Sequence, residues 1–201
     1  MRIAILGAGN VGGGLGRAFG AAGHDVLFGV RDPESTKTLA ALADIPDAVA
    51  AAPAAAVEGA DVVVFALRPV AIAATVAELP SMAGRIVIDA MNRFDAEVTA
   101  QSTTQDLARL LPGAKLAKAF NTIGFENLRS AAARSIPAAM FVAGDDEDAK
   151  RVAMDLAEQI GFQPEDAGGM ANTKALEEMV KVWMALAQTH GRTVAFAISD
   201  G

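Results

Sequence analysis

The stretch Arg2-Ile3-Ala4-Ile5-Leu6-Gly7-Ala8-Gly9-Asn10-Val11-Gly12 decides the fold. Four apolar residues after Arg2 run into three glycines spaced G-x-G-x-x-G, and a helical pattern follows over residues 10–22, ended by Gly23. A strand, a tight turn and a helix in that order form a receptor for a diphosphate. Gly7 permits the turn, Gly9 lets the backbone come close to a pyrophosphate, and Gly12 lets the helix pack against the strand. The helix N-terminus then offers free N–H groups and a partial positive charge to the anion. A glycine-rich turn without a ligand is the plainer alternative, and the order of elements around the motif argues against it.

Outward from that turn, apolar runs of strand length alternate with helical patterns. Strands are expected at residues 25–30, 47–49, 61–67, 85–90 and 115–120, and helices at 34–43, 51–58, 70–78 and 103–111. Pro33 and Glu34 are first-turn residues for the helix at 34–43. Farther on, the pattern predicts strands at 138–143 and 162–166, a helix at 146–160 with an acidic first turn, and a long helix at 172–190. Leu176, Met179, Val180, Trp183 and Ala187 share one face of that last helix. Strands apolar along their whole length, separated by helices, indicate a parallel sheet covered on both sides. The expected class is α/β, a doubly wound parallel sheet of the NAD(P)-binding Rossmann type with a short C-terminal helical extension. The chain shows no linker, repeat or low-complexity tract, so residues 1–201 read as one domain.

Composition narrows the function. The net charge is −7, which disfavours nucleic acid and anionic membranes as partners. There is no cysteine, which excludes disulfides, thiolate metal sites and cysteine nucleophiles and agrees with a reducing cytoplasm. No apolar run reaches membrane-spanning length, and residues 1–9 read as a buried strand and turn, not as a signal peptide.

The second strand indicates which dinucleotide. An acid at its end would hold a ribose 2′-OH, but the strand ends Phe28-Gly29-Val30-Arg31-Asp32. Arg31 stands where the acid is expected, and its guanidinium can grip a 2′-phosphate with two hydrogen bonds. Ser35, Thr36 and Lys37 follow within a turn and can complete a phosphate pocket, giving NADP. In the competing reading Asp32 holds a ribose, Arg31 lies in solvent, and the cofactor is NAD.

Absences point to the reaction. There is no tyrosine, so the Tyr/Lys proton donor of short-chain reductases is missing. His24 reads as a turn residue before the second strand, and His190 as a helix-end residue or part of an oligomer face. No metal-ligand spacing occurs, and the acidic run Asp145-Asp146-Glu147-Asp148 reads as a solvated helix start. Lys115 and Lys118 are the acid candidates near a strand end, and Lys118 lies within strand sequence. Direct hydride transfer between two bound cofactors, which needs little proton transfer, fits this inventory.

The chain resembles the NADP oxidoreductases dependent on coenzyme F420, an 8-hydroxy-5-deazaflavin, and the related reductase domain of the STEAP metalloreductases. The resemblance covers nearly the whole chain. It rests on residues 7–12, Gly29-Val30-Arg31, Lys118-Ala119-Phe120-Asn121-Thr122, Val142-Ala143-Gly144-Asp145-Asp146 and Asp166-Ala167-Gly168. It implies NADPH across the strand ends, with Gly9, Asn10 and Val11 at the pyrophosphate and Arg31 at the 2′-phosphate. It further implies that Leu67, Arg68 and Pro69 line the ribose and nicotinamide side, and that Asn92 with Phe120, Asn121 and Thr122 borders the nicotinamide and the second substrate. The chain departs from the family where Val70 follows Pro69, a position that is often aromatic. Asn121 also has a plainer reading as a turn-closing residue.

Three functions fit these residues: an NADPH-dependent oxidoreductase passing hydride to F420, a flavin or a similar planar acceptor; an NADP(H)-dependent reductase of a small carbonyl or imine; and a non-catalytic NADPH sensor. The expected partner is a small-molecule hydride acceptor. The last helix, with Trp183, Met179 and Met184, is expected to pack within the monomer or across the two-fold axis of a homodimer.

Overall fold

The computed structural model describes residues 1–43, 45, 47–94, 101–129 and 131–199. Six strands form one sheet: β1 (Arg2–Leu6), β2 (Asp25–Gly29), β3 (Val49–Ala51), β4 (Val62–Phe65), β5 (Ile86–Asp89) and β6 (Lys115–Lys118). Their order is β3-β2-β1-β4-β5-β6 and every pairing is parallel. The chain starts mid-sheet, winds outward to β3, and returns beside β1 with β4. The reversal opens a crevice at the carboxyl ends of β1 and β4. β7 (Ala139–Val142) and β8 (Gln163–Asp166) pair parallel with each other and join the main sheet through an antiparallel bridge between Lys118 and Ala143. The doubly wound parallel fold is therefore the one expected.

Both faces of the sheet are buried, with period-two alternation along each strand. Ile3, Ile5, Phe28, Val64 and Ile88 pack under Leu15 and Phe19 of α1 (Asn10–Ala21) and Leu156 of α6 (Glu147–Gln159). Ala4, Leu6, Val63, Phe65 and Val87 pack under Val57 of α3 (Pro53–Val57), Ile72 of α4 (Ile72–Ala77) and Leu107 of α5 (Thr103–Leu110). Each fully buried large side chain contributes about 1.5–3 kcal/mol. Helix α1 is unusual in carrying glycine at 12, 13, 14, 16 and 20. Two of these leave notches that side chains fill: a Cβ on Gly16 would lie 2.3 Å from the Phe28 ring, and one on Gly14 2.7 Å from Leu128.

Several boundaries differ from the sequence expectation. Helix α2 (Thr36–Leu42) begins two residues after 34, because Ser35 is its cap: the Oγ accepts the Thr38 N–H at 3.2 Å. β3 lies at Val49–Ala51 in place of 47–49, since Asp47 has φ 57° and cannot be extended. The helix expected at 70–78 starts as a 3₁₀ turn at Pro69–Ala71. β6 ends at Lys118, two residues early: Lys118 and Ala143 exchange both backbone hydrogen bonds, and Phe120 turns to φ 62°.

Two 3₁₀ segments, Phe125–Arg129 and Ala131–Ala133, were not anticipated. Nor was the return of the chain after α7 (Thr173–His190). The Val194 carbonyl accepts the Trp183 indole N–H at 2.8 Å, and Ala139 N–H donates to the Phe196 carbonyl at 2.8 Å. Among the described residues no helix is long and apolar enough to cross a membrane.

Candidate functional site

At the crevice, the glycine turn has the geometry that its spacing requires. Gly7 has φ 106°, its N–H donates to the Gly29 carbonyl at 3.0 Å, and a Cβ there would lie 2.6 Å from the Ala66 carbonyl oxygen. A Cβ on Gly12 would lie only 2.0 Å from the Gly7 carbonyl oxygen. Gly9 is the opposite case, since a Cβ there would meet nothing within 4 Å. Gly9 caps α1 without a side-chain hydrogen bond, and no acid stands in the first turn. The first N–H groups of α1 are thus left for a ligand in open space.

A cleft of about 570 Å³ lies there, lined by Gly7, Gly9, Arg31, Asp32, Ser35 and Arg68 among others. Arg31 is exposed on its wall and makes no ion pair among the described residues. Asp32 is occupied locally: one carboxylate oxygen accepts the Glu34 N–H at 3.1 Å, and its carbonyl accepts the Thr38 hydroxyl at 3.0 Å. That leaves Arg31 as the freer group for an anion. Ser35 lines the cleft, but its hydroxyl is already shared with Thr38. The side chain of Lys37 lies outside the described residues. Asn10 is exposed and absent from the cleft wall, whereas Gly12 is buried behind the turn and acts through packing.

A second cavity of about 350 Å³ adjoins the first, and Ala66, Leu67 and Arg68 line both. Val11, Pro69, Asn92 and Asn121 belong to its wall, as do Phe94, Phe125, Trp183 and Arg192. The Arg192 guanidinium sits 5.3 Å from the Phe125 ring centre and 5.2 Å from that of Trp183, and its Nε donates to Glu126 at 2.5 Å.

Asn92 and Asn121 brace the cavity floor. Asn92 Nδ2 donates to the Asn121 carbonyl at 2.8 Å, and Asn121 Nδ2 donates to Asn92 Oδ1 and to the Leu176 carbonyl, each at 2.9 Å. Backbone carbonyls only accept, so both amides are fixed in orientation. Asn121 therefore does more than close a turn.

The expectation for its two neighbours is corrected. Phe120 is core, packed edge-on against Phe19 with ring centres 5.7 Å apart, and Thr122 is fully buried; neither lines the cavity. The left-handed backbone at Phe120 turns its ring inward under α1.

Lys118 is fully buried, which removes it as a proton donor to a ligand. Its ammonium donates to Asp89 Oδ2 at 2.9 Å, the Met91 carbonyl at 2.9 Å, Thr103 Oγ1 at 3.0 Å and Glu177 Oε1 at 3.0 Å. Asp89 also accepts the Met91 N–H and the Thr104 hydroxyl. Lys115 points away from both cavities, and its hydrogen bond and attraction to Asp148 at 2.5 Å raise its pKa above the usual lysine value. His24 also stands apart, edge-on to Phe19 and 3.4 Å from the amino terminus, and burial lowers its pKa. No group of acidic residues and histidines able to hold a metal occurs among the described residues.

Sequence reasoning missed Phe94, Phe125 and Arg192, and placed Trp183 only on a packing face. They come from three distant segments with no shared motif, and only the return of the chain after α7 brings Arg192 to them.

Comparison with known proteins fits this geometry. Residues 2–93 match the sequence profile of the family described as NADP oxidoreductase, coenzyme F420-dependent. The F420-dependent NADP reductase of Methanothermobacter thermautotrophicus is 30% identical over 92% of this chain and 89% of its own length. The metalloreductase STEAP3 of Rattus norvegicus is 28% identical over 88% of this chain, which spans only 36% of that protein. A crystal structure from Arthrobacter sp. FB24, provisionally described as an F420-dependent NADP reductase, superposes with a TM-score of 0.88 at 28% identity over 100% of both chains. Fold, cleft and relatives define an NADP-dependent oxidoreductase. The chain belongs to the coenzyme F420-dependent NADP oxidoreductase family.

Proposed function

We propose that the chain transfers hydride between NADP(H) in the larger cleft and a planar acceptor, F420 or a flavin, in the adjoining cavity. The observation that carries this reading is the seam: Ala66, Leu67 and Arg68 line both spaces, so ligands in the two would meet there. Bound NADPH supplies the hydride. The backbone of Gly7 to Gly9 receives its pyrophosphate, Arg31 its 2′-phosphate with Ser35 beside it, and Leu67 to Pro69 its nicotinamide end.

On the acceptor side, Trp183 and Phe125 line an apolar wall suited to a flat ring, and Asn92 and Asn121 hold the floor beneath it. The described lining residues of this cavity include no Asp, Glu, His, Lys or Tyr. A carbonyl or imine would lack a proton donor there, which favours an acceptor that takes hydride into a conjugated ring.

The test is spectroscopic. Purified protein with NADPH is mixed with F420, with FMN, or with no acceptor, and absorbance is followed at the NADPH and deazaflavin bands. NADPH oxidation that requires F420 or FMN is the expected result. Tight NADPH binding without turnover on either acceptor would reject this reading in favour of a small-molecule reductase or a sensor.

We further assign residues 1–201 to one domain, working in the cytoplasm as a homodimer. Trp183 is 4% exposed and packs within its own chain, so the expectation that it lies across a two-fold axis gives way to Val182 and Leu186, which are exposed and share a face of α7, whereas Met184 lines the acceptor cavity. Light scattering at micromolar concentration is expected to give twice the 20.6 kDa chain mass, and the chain mass itself would exclude the dimer.

A further inference from the structure

We propose that Lys118 and Glu177 form a positioning latch that sets where α7 lies over the acceptor cavity; this rests on the reading of that cavity given above. The cavity has a floor, Met91 and Asn92 at the end of β5, and a roof, Val180 and Trp183 on α7. One buried ammonium touches both walls. Lys118 Nζ lies 2.9 Å from the Met91 carbonyl and 3.0 Å from Glu177 Oε1, while Asp89 and Thr103 hold it from β5 and α5.

A second polar joint runs alongside. Asn121 ties the Asn92 side chain of the floor to the Leu176 carbonyl of the roof, one residue before Glu177. Lys118 itself does not line the cavity, so its effect on a ligand there passes through these walls.

The chemistry of the joint suits register more than stability. Desolvation of a buried pair offsets much of its attraction, but a displaced pair leaves bare charge inside the protein. The apolar side chains of Leu176 and Val180 pack without directional bonds, and Trp183 is tied by its indole N–H only to the returning chain at Val194. Glu177 is bound directionally, because its Oε1 also accepts the Thr103 N–H and hydroxyl, each at 2.8 Å. The latch thus selects which turn of α7 faces the cavity.

Two substitutions test it. Glu177→Met removes one of two carboxylates around the Lys118 ammonium and leaves Lys118 paired with Asp89 as a neutral buried pair, while Lys174, which lies 3.8 Å from Glu177, keeps its ion pair with Glu178 at 3.3 Å. Glu177→Gln keeps an acceptor oxygen for Lys118 and Thr103. Trp183 is the only tryptophan of the chain, so its fluorescence reports the roof directly and without any acceptor.

In Glu177→Met, a red-shifted Trp183 emission and a KM for F420 raised about tenfold are expected, with the NADPH Kd within about twofold of the parent. Glu177→Gln should recover most of both changes. Parental emission and KM in both variants, even with a lowered Tm, would overturn the latch and leave Glu177 a stabilising residue. A parallel rise in the NADPH Kd would overturn it as well. If Glu177→Met does not fold, Glu177→Asp replaces it, keeping the charge on a shorter side chain that cannot reach both Lys118 and Thr103 from the same position of α7: a red shift supports the latch and parental emission overturns it. If the parent protein is inert toward F420 but the emission shift occurs, the proposed acceptor fails and the latch stands.

Discussion

Arg31→Ala is expected to weaken NADPH binding about 30-fold or more, the equivalent of about 2 kcal/mol, and to leave NADH binding nearly unchanged. The argument begins with what the guanidinium lacks. Arg31 stands exposed on the cleft wall without an ion pair among the described residues, while the adjacent Asp32 has one carboxylate oxygen engaged by the Glu34 N–H. A 2′-phosphate would give Arg31 a charge-assisted, two-pronged partner that a ribose hydroxyl cannot supply. Calorimetric titration of both cofactors into both proteins checks this. Equal losses for NADPH and NADH would assign Arg31 to the shared diphosphate and reopen Asp32 as the ribose ligand.

A second large effect separates two glycines of the same turn. Gly12→Val should destabilise the fold by several kcal/mol, because even its first carbon would lie 2.0 Å from the Gly7 carbonyl oxygen, a backbone atom that cannot move without opening the turn. Gly9→Ala should leave the thermal midpoint unchanged, since its methyl group meets nothing within 4 Å. The methyl group would stand in the space assigned to the pyrophosphate, so NADPH and NADH affinity should fall together, by about tenfold or more. Thermal melts with and without NADPH distinguish the two. A Gly9→Ala protein that is stabilised by NADPH as strongly as the parent would remove the diphosphate from this turn.

These glycines also show what the sequence made legible. The order of strand, G-x-G-x-x-G and helix depends on local backbone chemistry, so residues 2–12 identified the first βαβ unit, and alternating apolar runs gave a doubly wound parallel sheet. Boundaries were harder to place where a tertiary bond intervenes. β6 stops at Lys118 because Ala143, 25 residues away in the chain, pairs with it. α2 starts late because Ser35 is its cap, and a cap residue stands outside the helix. Around the cleft, the glycine turn was legible because residues 7–12 are neighbours in sequence and their spacing carries the backbone geometry. The second cavity was not, because Phe94, Phe125, Trp183 and Arg192 carry no common spacing. Phe120 was misplaced for a conformational reason: nothing in Lys118-Ala119-Phe120-Asn121-Thr122 announces the positive φ that turns its ring into the core.

The glycines of α1 carry one more consequence. Five of its twelve residues are glycine, and at about 1 kcal/mol each relative to alanine that helix is unfavourable by itself by roughly 5 kcal/mol. It stands because Phe28 and Leu128 fill the notches that the missing side chains leave. The helix that carries the anion receptor thus owes its standing to side chains as far along the chain as residues 28 and 128, and not to its own sequence.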